Sequence, residues 1–243
     1  MDIDVNRMKN KNKVALITGA SSGIGNAIAV ALQKQQYHLI VTARREESLI
    51  SLKSDSVEIF PGDLTSSVFQ NQLEDFIFEK FSKLDYLFNC AGTLEVGPVE
   101  TIDIDRMVDM LRLNVEATFR LTYKILKRFK QQGTGHIINI SSVLGTKVRA
   151  TAGAYAATKF ALEALSEALR MELAGTNIQV SCIEPGLVMT GLHDRWQTHP
   201  SESMGISEPL TVNDIVNAVL YMLEQPAHVR IPRLMILPGE HLI

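Results

Sequence analysis

The sequence predicts an α/β fold in which helices cover both faces of a parallel β-sheet. Short apolar runs rich in β-branched residues alternate along the chain with longer segments of helical periodicity. A glycine-rich turn joins the first of these runs to the first helical segment. The 243 residues, 46% hydrophobic and 21% charged, suffice for one domain with a sizeable core. We therefore predict a single domain over residues 1–243, with a doubly wound sheet of about seven strands.

The first predicted strand, turn and helix have the composition of a dinucleotide-binding site. Residues 13–18 are apolar, and residues 19–25 contain three glycines. Glycines let the backbone approach a pyrophosphate, and the N-terminus of the next helix offers unpaired N–H groups and a positive dipole end. A tight turn without a ligand is the alternative, but the position between a strand and an amphipathic helix favours the dinucleotide. The loop residues assigned to cofactor binding are Gly19, Ser21, Ser22, Gly23, Ile24 and Gly25.

The end of the second predicted strand indicates which dinucleotide binds. Residues 38–43 form this strand, and Arg44 and Arg45 follow it. In dinucleotide-binding folds this strand end meets the adenosine ribose, where an acidic residue binds both hydroxyls. An arginine instead favours a 2′-phosphate through charge-assisted hydrogen bonds. Arg44 therefore predicts NADP(H) as the cofactor. The alternative is that the two arginines only begin a solvated helix.

The third and fourth predicted strands, residues 57–60 and 86–88, end in residues that suit the nucleoside of a cofactor. Asp63 could accept a hydrogen bond from an adenine amino group, or it could cap the helix that begins a few residues later. Small residues after the fourth strand leave room for a cofactor sugar. The residues assigned to the cofactor in these two turns are Asp63, Leu64, Asn89, Ala91 and Gly92.

A serine, a tyrosine and a lysine follow the predicted strand of residues 136–140. The hydroxyl pair Ser141 and Ser142 comes directly after this strand, and Tyr155 and Lys159 begin a helix rich in alanine and leucine. One helical turn separates Tyr155 from Lys159, so their side chains share a face. Lowering the tyrosine pKa to roughly 7 takes about 4 kcal/mol, which a lysine and a second cation could supply. For Tyr155 and Lys159 taken alone, the alternative is that this spacing occurs on a helix by chance and has no catalytic meaning.

The composition argues against several other classes of protein. The net charge of −3 gives no reason to expect nucleic acid or an acidic membrane surface as a partner. Cys90 and Cys182 lie in apolar runs without metal-ligand spacing, which predicts buried thiols and no metal site. Residues 1–12 form a polar N-terminal extension without signal-peptide features, and no run approaches 18 apolar residues. We expect a cytoplasmic protein.

Taken together, these motifs resemble the short-chain dehydrogenase/reductase family. The resemblance covers roughly residues 13–238, and one departure is Cys90, where the family often has a second asparagine. It implies a Rossmann-like sheet with strand order 3-2-1-4-5-6-7. The motifs that carry it, in chain order, are residues 18–25, residues 89–92, Asn114, Ser142, Tyr155, Lys159 and residues 185–186.

The resemblance implies a role for each member of the predicted catalytic set. Tyr155 matches the general acid of reduction and the base of oxidation. Lys159 matches the residue that holds the nicotinamide ribose hydroxyls and lowers the tyrosine pKa, and Ser142 matches the residue that orients the substrate oxygen. Asn114 matches an asparagine that holds a water linking the lysine to solvent. From the residues alone, Asn114 within a predicted helix over residues 105–129 suits packing as well as catalysis.

The resemblance also implies functions for the C-terminal part of the chain. The turn after the sixth predicted strand, residues 178–183, would pass the nicotinamide. Residues 191–210 match the family's variable substrate lid, in which Arg195 could meet an acidic substrate and Trp196 could close an apolar pocket. Residues 225–232 are similar to enzymes of this family that act on 3-hydroxy acids, serine among them. The cofactor-binding residues assigned in the turn are Pro185, Gly186, Val188 and Thr190.

The predicted function is NADP(H)-dependent reduction of a carbonyl, or oxidation of the corresponding secondary alcohol. The partner is thus a small-molecule carbonyl or alcohol substrate. An NAD-dependent alcohol dehydrogenase of the same fold and a non-catalytic, cofactor-sensing protein are the alternatives. The intact Ser142, Tyr155 and Lys159 set favours catalysis, because a binding protein needs no proton donor. The alanine-rich helix over residues 152–174 and the family's usual pairing predict a homodimer or homotetramer.

Overall fold

A parallel sheet forms the centre of the protein, whose computed structural model describes residues 12–194 and 200–242. Its strands run in the spatial order 3-2-1-4-5-6-7, and all neighbouring pairs are parallel. The predicted fold class and strand order are confirmed. The strands are β1 Val14–Thr18, β2 His38–Thr42, β3 Val57–Ile59, β4 Tyr86–Asn89, β5 Thr134–Ile140, β6 Asn177–Pro185 and β7 Arg233–Ile236.

Helices connect these strands. A π-helical turn, Arg112–Ala117, joins two helices where the sequence predicted one continuous helix over residues 105–129. Short 3₁₀ turns occupy Val143–Gly145 and Gly191–His193. The α-helices are α1 Gly23–Lys34, α2 Glu46–Ile50, α3 Ser67–Phe81, α4 Ile104–Leu111, α5 Thr118–Gln132, α6 Gly153–Glu172, α7 Pro200–Ser203 and α8 Val212–Leu223.

The central strand β1 shows why helices cover both faces of the sheet. Its residues are all buried, and successive side chains point to opposite faces. Ala15 and Ile17 belong to a hydrophobic cluster with residues of α1 and α8. Val14 and Leu16 belong to a second cluster with residues of α3, α5 and α6. Burial of each large aliphatic side chain contributes about 1.5–3 kcal/mol, so both helical layers are held by β1.

The strand order places a crevice at the carboxyl end of the sheet. β1 pairs with β2 on one side and with β4 on the other, so the chain reverses its direction of winding beside β1. Open α/β sheets bind their ligands in the crevice at such a reversal. The residues assigned to the site from the sequence follow the carboxyl ends of the strands, with Asn114, Tyr155 and Lys159 on the flanking helices.

Candidate active site

The glycine loop between β1 and α1 is built by close backbone contacts. Gly19 has a φ of +68°, a conformation that strongly favours glycine. A Cβ at Gly19 would lie 2.7 Å from the Cα of Ala91, and a Cβ at Gly25 would lie 2.6 Å from the carbonyl oxygen of Gly19. Helix α1 begins after Ser22, and its first turn carries no acidic side chain. The loop therefore fits a pyrophosphate at the helix N-terminus.

Thr18 fixes this loop to the turn after β4. Its hydroxyl accepts hydrogen bonds from the backbone N–H groups of Cys90 and Ala91, both at 3.1 Å, and donates to the Phe88 carbonyl at 3.2 Å. Thr18 is not among the site residues predicted from the sequence. The cue was available, because a buried threonine at the end of a strand needs hydrogen-bond partners.

Two arginines follow β2, whereas only Arg44 was predicted to bind the cofactor. Arg44 and Arg45 both line the cleft above the glycine loop. The Arg45 guanidinium donates to the hydroxyls of Ser21 and Ser22 at 3.2 and 3.3 Å. Arg45 was left out of the predicted binding residues, yet it is the arginine that contacts the glycine loop. No acidic residue follows β2 directly, so the ribose end of the cleft is positively charged.

Asp63 does not cap the helix that follows it. One of its carboxylate oxygens accepts from the backbone N–H and the hydroxyl of Thr65, both at 2.9 Å. Ser66 caps α3 instead, because its hydroxyl accepts from the Phe69 N–H. The capping alternative for Asp63 is therefore wrong. Asp63 and Leu64 line the cleft, as the assignment to an adenine requires.

Ser142 and Lys159 are brought together by the end of β5. Both are 8% exposed. The Ser142 hydroxyl accepts from the Leu144 N–H at 3.1 Å and so begins the 3₁₀ turn. The Lys159 ammonium donates to the Ile140 carbonyl at 2.9 Å. Burial lowers the pKa of Lys159 to about 8, because the charged form loses hydration.

The side chains around Tyr155 do not by themselves lower its pKa, a fall that the prediction assigned to Lys159 acting together with a second cation. Burial raises the pKa of Tyr155 to about 12, and a hydrogen bond with Ser142 acts against this rise. The Lys159 ammonium lies 5.7 Å from the centroid of the Tyr155 ring and bonds to a carbonyl instead. The neutral phenol loses less hydration free energy on burial than the phenolate does. The side chains of this protein therefore keep Tyr155 protonated at neutral pH, in the form of a proton donor.

Asn114 and Asn89 are buried and do not line the cleft. Asn114 lies in the π-helical turn, where its amide accepts from the N–H of Thr93 at 2.9 Å and donates to the carbonyl of Thr93 at 2.9 Å. It also donates to the Thr158 hydroxyl at 3.3 Å. Its side chain therefore ties the turn after β4 to α6. Single π turns are rare and occur frequently at functional sites.

Asn89 has a structural role in the sheet. Its amide donates to Asn139 at 2.8 Å and to Thr122 at 3.0 Å, and Asn139 in turn donates to Ser166 at 2.9 Å. This buried chain of hydrogen bonds links β4 and β5 to α5 and α6. The assignment of Asn89 to the cofactor has no support from its side chain.

The turn after β6 forms part of the cleft wall beside the glycine loop. Pro185, Gly186, Val188 and Thr190 all line the cleft. The Thr190 side chain lies 3.5 Å from the position of a Cβ at Gly23, so this turn approaches the glycine loop. The predicted lid segment, residues 191–210, begins just after the turn. Arg195 and Trp196 lie outside the described residues.

Both ends of the lid segment are fixed to the turn. Leu210 pairs with Val188, and the Met189 N–H donates to the Leu210 carbonyl at 2.8 Å. Leu192, Pro200 and Met204 within the segment line the cleft. The described parts of the lid segment, residues 191–194 and 200–210, therefore border the cleft, and residue 210 is bonded back to the turn.

One cleft of about 1330 Å³ contains most of the assigned residues. It runs from the arginines after β2, past the glycine loop, to Tyr155 and the lid segment. Its volume exceeds that of an ordinary small-molecule site, so it has room for a dinucleotide and a substrate. The lining residues assigned from the sequence are Gly19, Ser21, Ser22, Gly23, Ile24, Gly25, Arg44, Asp63, Leu64, Ala91, Gly92, Ser142, Tyr155, Lys159, Pro185, Gly186, Val188 and Thr190.

The fold and the cleft define a dinucleotide-binding oxidoreductase with a serine, tyrosine and lysine site. The family model for short chain dehydrogenases matches residues 13–201. The chain belongs to the short-chain dehydrogenase family. Within residues 12–194 and 200–242, no helix is both long and apolar enough to cross a membrane.

Relatives and solved structures agree with this membership. An uncharacterised oxidoreductase of Staphylococcus aureus is 32% identical over 231 residues, which are 93% of this chain and 97% of the relative. The closed form of a serine dehydrogenase with NADP+ superposes with a TM-score of 0.85 at 30% identity, covering 92% of this chain and 94% of that one. A 4-hydroxyisoleucine dehydrogenase with NADH superposes with a TM-score of 0.84 at 29% identity, covering 94% and 98%.

Proposed function

We propose that this protein is an NADP(H)-dependent oxidoreductase that interconverts a carbonyl compound and a secondary alcohol. The observation that carries the proposal is the convergence of Ser142, Tyr155 and Lys159 in the cleft that the glycine loop also lines. A nicotinamide cofactor, when bound, supplies the hydride for reduction or accepts it in oxidation. The protein must then supply a proton, an orientation for the substrate oxygen and a dry environment.

Tyr155 is the proton donor of the proposed reduction. Its phenol gives a proton to the carbonyl oxygen and later regains one from solvent, which balances the proton of the product alcohol. The Ser142 hydroxyl orients that oxygen. Lys159 holds the ribose hydroxyls and stabilises the phenolate left after transfer, because an adjacent cation favours the charged form. The raised pKa of Tyr155 keeps the donor loaded at neutral pH.

NADP(H) is proposed over NAD(H) because of the two arginines after β2. Arg44 lines the cleft and is available to a 2′-phosphate, while Arg45 donates to the serines of the glycine loop and adds positive charge beside it. Similar proteins have been solved with NADP+ and with NADH. The preference therefore rests on the arginines of this chain.

Titration of the purified protein with NADPH and NADH, followed by cofactor fluorescence, tests this proposal. We expect NADPH to bind at least about tenfold more tightly, since a charged hydrogen bond contributes about 1.5–3 kcal/mol. Tighter binding of NADH would still support an oxidoreductase but would contradict the proposed preference for NADP(H). Binding of neither would contradict the proposal.

We also propose that the protein pairs through α5 and α6. An apolar groove between these helices is lined by Tyr123, Leu126, Leu169 and Leu173. Tyr123 is 48% exposed, which is high for an aromatic side chain beside apolar neighbours. Light scattering after size exclusion should give the mass of a dimer or tetramer, and Tyr123→Glu should reduce it. A monomer in the unaltered protein would contradict this proposal.

A further inference from the structure

The cleft carries more positive than negative charge at its substrate end. Three carboxylates line the cleft, and each already has a partner. Asp63 accepts from Thr65, and the other two carboxylates pair with arginines of α4 and of the π-helical turn. The two ion pairs are Glu95 with Arg106 at 3.3 Å and Asp109 with Arg112 at 3.0 Å. The remaining cations of the cleft are not neutralised by these acids.

Lys147 and Arg149 are the excess cations near Tyr155. Neither has an ion pair with a carboxylate within residues 12–194 and 200–242. The Arg149 guanidinium donates to the sulfur of Met204 at 3.0 Å. A thioether is a weak acceptor, so most of the five N–H donors of Arg149 are available to a stronger one.

Three segments converge at Arg149. Arg149 belongs to the loop before α6, Met204 belongs to the lid segment, and His241 belongs to the C-terminal tail, residues 238–242. His241 packs against Gly186, where a Cβ would lie 2.6 Å from its Nδ1. Burial lowers the pKa of His241, the charge of Arg149 adds to this effect, and both side chains line the cleft. Arg149 therefore faces the substrate end, beside the turn after β6.

The loop that carries Arg149 is held in an unusual conformation. Thr151 has a φ of +65°, which is a strained conformation for a β-branched residue. Its carbonyl accepts from the Gly97 N–H at 2.9 Å. Strain of this kind persists where the surrounding structure imposes it and concentrates at ligand-binding loops. The loop thus presents Arg149 to the cleft at a cost in backbone energy.

We propose that Arg149 binds a carboxylate of the substrate, with Lys147 adding positive charge at the mouth of the cleft. The substrates are accordingly oxo acids, and the products are the corresponding hydroxy acids. This inference rests on the oxidoreductase activity proposed above. A guanidinium presents a planar fork that matches the two oxygens of a carboxylate. One arginine with one lysine suits a single carboxylate better than a phosphate, which usually binds to several cations.

The test compares an oxo acid with its neutral ester. Reduction of acetoacetate and of methyl acetoacetate is followed through NADPH absorbance for the unaltered protein, Arg149→Gln, Lys147→Gln and Arg112→Gln. Arg112 is the matched control, because it lines the same cleft and already pairs with Asp109. We expect Arg149→Gln to lower kcat/KM for the acid about 10- to 100-fold, mainly through KM, and to leave the ester nearly unchanged. Lys147→Gln should have a smaller effect of the same kind.

Several results would overturn the inference while leaving the proposed function intact. These are reduction of the ester but not of the acid, equal losses for acid and ester in Arg149→Gln, and a preference for dihydroxyacetone phosphate over acetoacetate. If no carbonyl compound is reduced, binding decides the question. Calorimetry would then compare butyrate with butyramide on the protein saturated with NADPH. Selective butyrate binding that Arg149→Gln removes supports the carboxylate site, and equal or absent binding of both overturns it.

Discussion

The two ends of the cleft are built in different ways. The nucleotide end consists of backbone groups at the ends of β1, β2 and β4, fixed by contacts such as that of Gly25 with the Gly19 carbonyl. The substrate end consists of the loop of residues 146–152, the described parts of the lid segment and the C-terminal tail, which are distant in sequence. In this protein the nucleotide end therefore depends on neighbouring strand ends, whereas the substrate end depends on loops, which are the usual place for binding residues.

Gly25→Ala should produce the largest loss at the nucleotide end. The new Cβ would lie 2.6 Å from a backbone oxygen and 3.0 Å from the Gly19 carbonyl carbon, so the loop must move. We expect NADPH affinity to fall at least about a hundredfold, because the close backbone approach to the pyrophosphate is lost. Gly153→Ala is the control, since nothing lies within 4 Å of its added Cβ. Unchanged NADPH affinity in Gly25→Ala would contradict the geometry of the loop.

Arg233→Gln should alter stability rather than cofactor preference. Arg233 of β7 bonds to Glu184 at 2.5 and 3.2 Å and lies 3.5 Å from Glu163 of α6. Glu184 is 1% exposed, so it would lose its partner in a buried position. We expect the free energy of unfolding in urea to fall by about 3 kcal/mol, near the low end for a broken buried pair because Arg233 is half-exposed. Arg233→Lys should restore part of the lost free energy of unfolding. No loss of stability would show that the pair is not needed.

Arg44→Ala should separate the two cofactors. Loss of the Arg44 guanidinium should weaken NADPH binding about tenfold or more and leave NADH binding nearly unchanged, because only NADPH carries the 2′-phosphate. Arg45→Ala gives the matched comparison. It should weaken both cofactors slightly, since Arg45 also supports the hydroxyls of Ser21 and Ser22. Equal losses of NADPH and NADH affinity in Arg44→Ala would contradict the assignment of Arg44 to the 2′-phosphate.

Ser207→Ala should give the smallest effect, confined to the substrate end. The Ser207 hydroxyl and N–H donate to the Glu240 carboxylate, which ties the lid segment to the C-terminal tail. Removing the hydroxyl should raise KM for the carbonyl substrate about two- to fivefold without changing NADPH affinity. Ser51→Ala, an exposed serine remote from the cleft, is the control. A change in NADPH affinity would mean that the two ends are coupled.

The strands, turns and helix starts of the nucleotide end were predicted well because short-range rules govern them. The glycines, the strand ends and the helix starts lie close together in the chain, and the strand order followed from the family resemblance. Arg45 was missed because both arginines occupy the same turn, and only the direction of each side chain distinguishes them. The hydrogen bonds of Asn89 were not predicted for a similar reason: its buried bonds to Asn139 and Thr122 span 50 and 33 positions.

The substrate end and the tyrosine pKa were harder to predict. Arg149, Met204 and His241 come from three separate segments, so no local pattern brings them together. The predicted fall in the pKa of Tyr155 relied on Lys159 and a second cation acting together on the phenol. In the fold, Lys159 donates to the Ile140 carbonyl, and burial of the phenol is the larger effect. Desolvation depends on the whole packed structure, which residue spacing does not describe.

The role of Tyr155 as the proton donor is tested most directly by comparing the unaltered protein with Tyr155→Phe in two measurements made side by side. NADPH binding is followed by fluorescence, and reduction of a carbonyl panel of oxo acids and diketones is followed through NADPH absorbance. We predict that Tyr155→Phe loses about a thousandfold in kcat, because general acid catalysis contributes about 10²- to 10⁴-fold, while NADPH affinity stays nearly unchanged. Turnover within a few-fold of the unaltered protein would contradict the assignment of Tyr155 as the proton donor.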